Sequence, residues 1–434
     1  VGEGVMTTPP IATDTPAQPE YTALVETLDP GTLASQRMLQ FVNIDATINH
    51  NAVGAYTVMV PYTDDLWDQI HAGDFIVRIG WRGLFTFGGK CEQPTYSSSL
   101  PGASGGNAGG LSGQFITLSG ADYLAIVANR IAYPDPTKPW SGQLANSSSV
   151  VVNAPLETAI KYYVNSNMGP NAISSRVHPL LDIAADQGRG PAVIYSVNFH
   201  SGQSLNLMDV IRAMIAKTNS KMGVRVTQNG SRLLFDVYMP VDKTGTAWFA
   251  ESLGNLTSIN FSLTDPTCTD ALVQGATPML KHDGTADPSS PSFIEVANPS
   301  TSWTKVEQYT DDTAESNSDN LDTTARNALY TGSMGPNMAV TATESPFLVY
   351  GRDYSVGDIV SVSVRAATDN TPEVYYQDVV SSATLTCDAT QQPIMNVVPV
   401  IGNATDPSVN PKTATGQLLA RIKTLEKALA TKGK

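Results

Sequence analysis

Two stretches far apart in the chain, Gly73-Asp74-Phe75-Ile76-Val77-Arg78-Ile79 and Gly357-Asp358-Ile359-Val360-Ser361-Val362-Ser363-Val364, read almost alike. Each begins with a Gly-Asp pair, which suits a turn. Glycine supplies unusual backbone angles, and aspartate bonds the backbone beyond it. Each continues with period-two alternation, the signature of a half-buried strand. Phe75, Val77 and Ile79 then share one strand face, and Val360, Val362 and Val364 share a face of the other. Gly73, Asp74, Gly357 and Asp358 are therefore expected to start strands in two similar β modules, as architecture rather than chemistry.

Around the first stretch, residues 21–120 read as strands. Tyr56, Val58 and Val60 alternate up to Pro61, Trp81-Arg82-Gly83 fits a hairpin turn, and Phe115 to Leu118 makes a further strand. The glycine- and serine-rich segment from Ser97 to Gly110 has the composition of a flexible loop. No Lys-Ser or Lys-Thr follows its glycines, so it is not a phosphate cradle.

Residues 121–260 change character. Helical spacing appears at Leu124, Val127 and Ile131, at Leu156, Ile160, Tyr163 and Val164, and at Leu207, Val210, Ile211 and Met214. Asn229-Gly230 between two apolar runs is a hairpin signal. Residues 261–405 return to β character, with a polar stretch from Asp311 to Arg326 that holds a helix towards Leu329. The N-terminal residues 1–20, rich in Thr, Pro and Ala, read as an extended arm without the basic or apolar region of a signal peptide.

Residues 406–434 read as a linker and a short coiled coil. Leu418, Ile422, Leu425 and Leu429 are spaced four, three, four, which is an a/d seam. A helix so short needs partner helices, so the seam predicts a parallel oligomer. The fold class expected is α+β, mainly β: two small β-barrel-like modules flanking an α+β middle region, with a short C-terminal coiled-coil helix.

With 434 residues, 41% hydrophobic and 15% charged, the chain has enough apolar surface for several cores and is not a disordered polymer. Its formal charge of −14 opposes nonspecific binding to nucleic acid and anionic membranes. Cys91, Cys268 and Cys387 form no CxxC pair, and His50, His71, His178, His200 and His282 have no ligand spacing. No metal, cofactor or catalytic residue is expected. A glycosidase needs two carboxylates flanking a cleft, and Asp182, Asp186, Asp236 and Glu251 are the candidates, each better explained by turns and solvation. A carbohydrate-binding surface would use Trp140, Trp248 or Trp303 as anchors.

Several longer phrases stand out: Gly73 to Arg78; Gly120-Ala121-Asp122-Tyr123-Leu124 leading to Arg130-Ile131-Ala132-Tyr133-Pro134; Ala184-Ala185-Asp186-Gln187-Gly188-Arg189-Gly190-Pro191; Leu253-Gly254-Asn255-Leu256; and Tyr350-Gly351-Arg352-Asp353-Tyr354-Ser355-Val356-Gly357-Asp358. With the order β module, α+β insert, β module, short coil, the chain resembles the tail-tip hub proteins of long non-contractile-tailed phages of actinobacteria, related to the central hub proteins of contractile tails. The resemblance implies a structural virion protein at the tail tip, a homotrimer whose two barrel domains per subunit give a pseudo-sixfold ring. Such a ring joins the sixfold tail tube to threefold tip structures and forms part of the DNA-exit channel. The implied partners are further copies of the chain, the distal tail protein and tail tube, the tape-measure protein, and tail fibres or a spike. DNA would pass without specific binding, and the host envelope lies within reach. Larger relatives carry long C-terminal extensions, sometimes with hydrolase domains, where this chain has a short coil, which counts against hydrolysis. A tail-associated cell-wall hydrolase is the enzymatic alternative, and a receptor- or carbohydrate-binding tail protein is the other.

Overall fold

The computed structural model describes residues 23–99, 113–144, 147–199, 204–218, 220–264, 267–277, 279–280, 286–287, 289, 291–298, 300–311, 318–331, 335–364, 374–389 and 394–402. These residues are mainly β, with 48% of them in strands and 17% in helices, as the alternating runs predict. The strands on either side of the insert do not form separate bodies. They join in one 13-stranded sheet, and among the described residues no closed barrel forms. The expected barrel-like modules are thus open sheets that share an edge.

The sheet runs through two equivalent halves. In the first, the order is Asn43–Asn49, Ala55–Pro61, Gly113–Ala121, Phe85–Ser99, Ile76–Trp81. In the second it is Leu256–Thr264, Gly335–Ala342, Ile394–Ile401, Val374–Asp388, Ile359–Val364. Neighbours within each half are antiparallel.

The equivalence extends to register. Phe85–Ser99 and Val374–Asp388 both have 15 residues. The first six positions of each pair with the six-residue strand before it, from Ile76↔Lys90 to Trp81↔Phe85 and from Ile359↔Val379 to Val364↔Val374. Each then shifts register at one point, between Cys91 and Gln93 or between Val380 and Ser382. A bulge of this kind bends a strand and lets it serve two sheet regions. The backbone N–H of Cys91 donates to the Phe75 carbonyl at 3.0 Å, and that of Val380 donates to the Asp358 carbonyl at 2.9 Å.

That register makes Val77 the counterpart of Val360 and Ile79 the counterpart of Val362, all four buried. The same register pairs Phe75, not Asp74, with Asp358, so the two Gly-Asp pairs are offset by one residue. The cause is local. Gly73, at φ 145°, caps a helix over Asp64–Ala72 that the sequence reading did not anticipate. Gly357, at φ 92°, instead closes a turn in which the Asp358 carboxylate accepts the Ser355 N–H.

One apolar core lies under both halves, including Val58, Val77, Ile79, Ile116 and Trp81 from the first and Val340, Val360, Val362, Leu385 and Val397 from the second. The middle region keeps its own core. There Leu156, Ile160, Tyr163 and Val164 are fully buried on the helix Leu156–Met168, and Asn206 caps the helix Leu207–Lys217 by accepting the Met208 and Asp209 N–H groups. The Asn229-Gly230 turn joins Gly223–Asn229 to Arg232–Tyr238 as expected. Of the predicted stripe, Val127 lies in a short helix, Ala125–Ala128, with Leu124 as its N-cap; Ile131 lies beyond it, is 46% exposed and bridges to Asn206. A third small core surrounds the helix Ser318–Thr331 within the second half. Phe85–Ser99 carries strand structure into the start of the expected flexible loop, whose remaining residues lie outside those described. The N-terminal arm and the coil positions Leu418, Ile422, Leu425 and Leu429 also lie outside the described residues.

Candidate functional site

The most extensive polar geometry among the described residues lies where the two halves of the sheet meet each other and the insert. The halves join where Asn43–Asn49 pairs antiparallel with the second part of Val374–Asp388, from Ser382↔Asn49 to Asp388↔Asn43. At the ends of this seam the His50 N–H donates to Ser381 O and the Ala389 N–H donates to Val42 O, both at 2.8 Å. Ala383, Leu385 and Cys387 fill the core side of the seam opposite Ile48, Ala46 and Ile44. A buried ion pair adds a second tie: Arg82 in the first hairpin reaches Glu344 at 2.6 Å, with side chains 4% and 10% exposed. The Glu344 carboxylate also accepts the Tyr350 N–H.

The insert is clamped to this seam by the turn after Asn49. Asn51 sits at φ 55°, a left-handed conformation that asparagine tolerates better than most residues. Its side chain donates to Met222 O at 2.9 Å and accepts the Val224 N–H at 3.0 Å, while its carbonyl accepts Arg212 Nε at 2.9 Å. Next to it, His50 Nδ1 lies 2.8 Å from the Tyr238 hydroxyl. The Tyr238 ring is held against Gly223 and Gly357, and a Cβ on either glycine would collide with it. Burial pushes the Tyr238 hydroxyl pKa up, so it stays a neutral hydrogen-bonding group. One aromatic side chain from the insert thus touches both halves of the sheet.

Beside Tyr238 opens a polar cleft of about 450 Å³, lined among others by Arg189, Arg225, Asp236, Lys243, Arg352 and Asp353. Its three arginines are each ion-paired: Arg225 with Asp236 at 3.2 Å, Arg352 with Asp353 at 2.8 Å, and Arg189 with Glu157 at 2.8 Å. Glu157 is fully buried and also holds Lys161 at 2.6 Å. Burial alone would raise its pKa, but the bonds from Arg189 and Lys161 outweigh that and hold the carboxyl at about 2.

The phrases singled out in the sequence prove to be turn-builders. Asp122 accepts the N–H groups of Gly54 and Leu124; burial lifts its carboxyl to about 6 against those bonds. Asp186 accepts the Gly188 N–H, and Arg189 between Gly188 and Gly190 grips Glu157. Asn255, after Gly254 at φ 67°, bonds Trp248 O and the Ala250 N–H, which sets the short strand Trp248–Ala250 parallel to Ile359–Val364.

The other nominated residues are scattered. Asp182 is paired with Arg232, and Asp236 with Lys161 and Arg225. Glu251 lies in a short exposed helical turn. Trp140 packs against Tyr133 and Phe199, Trp248 is 36% exposed, and Trp303 is 96% exposed. Asp74 pairs with Lys90 on the surface. Among the described residues no group of His, Cys, Asp or Glu could hold a metal ion, and the three cysteines are buried thiols.

The profile of the family described as Siphovirus ReqiPepy6 Gp37-like protein matches residues 25–403, nearly the whole chain. The chain belongs to this siphophage tail-protein family. No curated protein matches it. Among solved structures it is similar to the 43 kDa tail protein of prophage MuSo2 from Shewanella oneidensis, with 11% identity, 90% of this chain and 100% of that one covered, and a TM-score of 0.49. It is also similar to the tail protein from Neisseria meningitidis MC58, with 9% identity, 89% and 98% covered, and a TM-score of 0.47. The prophage tail protein gp18 from Listeria monocytogenes EGD-e matches at 12% identity, 93% and 99% covered, with a TM-score of 0.43.

Proposed function

We propose that this siphophage tail protein is the structural hub of the tail tip, a homotrimer that joins the sixfold tail tube to threefold tip structures. The observation that carries this reading is the internal repeat: two five-strand units with the same strand order and the same register in one chain. Three chains would then present six equivalent units upward, to the tube and the distal tail protein, while everything outside the repeat stays threefold. The insert, clamped by Asn51 and Tyr238, is the threefold part, suited to narrow the channel and to face fibres or a spike. The tape-measure protein would end near the ring. A net charge of −14, if it lines the lumen, lets DNA pass without adhering. The ion pairs that occupy the polar cleft favour a structural over a hydrolytic role. The mass of the chain in solution, with and without residues 414–434, tests this reading. A trimer supports it, and survival of the trimer on truncation assigns assembly to the sheet instead of the coil.

A second reading is a receptor- or carbohydrate-binding role at the host envelope, favoured by Trp303, which stands 96% exposed. Glycan binding that disappears on Trp303→Ala would support it.

A further inference from the structure

The repeat leaves one relationship unmatched. In the second half, the strand Val374–Asp388 has a partner on both sides of its second part: Ile394–Ile401 on one and Asn43–Asn49 on the other. Its counterpart in the first half, residues 93–99, pairs with Gly113–Ala121 alone among the described residues. The counterpart of Asn43–Asn49 is Leu256–Thr264, which ends the sheet with Gly335–Ala342 as its one described neighbour. Each half thus supplies one of two complementary edges, and among the described residues only one of the two edge pairings is made within the chain.

We propose that residues 93–99 are covered in the assembled state by the strand Leu256–Thr264 of a second copy of this chain, antiparallel and in the register of the internal seam. The number of copies rests on the hub reading above; the strand pair does not. Burial marks the missing neighbour. Leu385 is 2% exposed at the seam, whereas its counterpart Tyr96 is 42% exposed at the open edge. Beside that edge the rings of Tyr62 and Trp67 each lie 5.6 Å from Tyr96, an aromatic surface for an arriving strand. The seam bonds at Ser381 and Ala389 show which alternate residues face the neighbour. By equivalence these are Glu92, Pro94, Tyr96 and Ser98. Pro94 removes one donor, a device that blunts an edge against indiscriminate pairing while leaving the other bonds available. The contact is head-to-tail, so repetition closes into a ring where the rotation permits and removes every such edge.

The seam places Thr47 opposite Thr384, so the proposed pair places Thr95 opposite Asn260 of the partner subunit. The test is the full chain carrying Thr95→Cys and Asn260→Cys, oxidised and run on a denaturing gel beside each single variant and the parent, whose own thiols are buried. Far-UV circular dichroism and melting of the singles check folding. A Thr95→Lys chain gives a second readout, with loss of the oligomer and unchanged dichroism expected. Disulfide-linked oligomers in the double variant alone are the expected result. A chain with oligomer mass by light scattering but no such links overturns the strand pair and leaves the hub reading standing, as does retention of the oligomer by Thr95→Lys. A monomer without links also overturns the pair. Links in a protein that antibody labelling places away from the tail tip keep the pair and overturn the hub reading.

Discussion

Thr47 and Thr384, 337 residues apart in sequence, face each other with hydroxyl oxygens 3.5 Å apart across the strand seam that joins the two halves of the sheet. Such a contact makes the chain ends interdependent: neither half has its complete core without the other. Leu385→Ala at this seam removes a side chain that is 2% exposed. The expected loss is about 2–5 kcal/mol, read as a fall in denaturant midpoint that affects probes in both halves together.

The Arg82–Glu344 pair predicts a sharper asymmetry. Arg82→Met leaves the Glu344 carboxylate buried with only backbone support, at an expected cost of about 3–5 kcal/mol. Changing both residues to apolar ones of similar size should recover much of that loss. A double-mutant cycle on thermal unfolding measures it.

Acid should weaken the insert through Glu157. Its folded carboxyl lies at about 2, below the ordinary 4.5, so the stability it contributes is fully present above pH 4.5 and lost as pH falls towards 2. Asp122 acts the other way: lifted to about 6 from 3.8, it contributes stability below 3.8 that is lost as pH rises through 6. Glu157→Gln should therefore be less stable at neutral pH and show a shallower decline between pH 4.5 and 2. Melting temperature against pH checks both.

Asn51→Ala removes the bonds to Met222 and Val224 and places alanine in a left-handed conformation. The expected cost is about 2–4 kcal/mol, concentrated at the insert. Faster amide exchange at residues 222–226, with the sheet core unchanged, is the anticipated outcome.

The β modules were legible because the signals are local. Alternation at Val77 and Ile79 and at Val360 and Val362 marks faces that both proved buried, and Asn229-Gly230 marks its hairpin. The helices at Leu156 and Leu207 were equally visible from their apolar stripes. The fusion of the halves was not legible, because edge pairing is a backbone contact between segments hundreds of residues apart. The one-residue offset of the Gly-Asp pairs was hidden for a related reason. Register is set by the paired strand, so Cys91 and Val380 decide it and the repeated phrase does not. The helix Asp64–Ala72 had a readable signal, Thr63 capping ahead of Asp64 and Asp65 in its first turn, but no long apolar stripe to draw the eye. Asn51 and Tyr238 carry no motif; only the fold brings them to the seam.

The central claim, that one chain builds the same sheet unit twice so that three chains can meet a sixfold tube, is tested most directly by a reconstructed map of the virion tail tip. The account predicts three copies of the chain, with six sheet units around the axis at sixfold spacing and the inserts threefold below them. Six copies in a plain sixfold ring, or a single copy per tail, would contradict it.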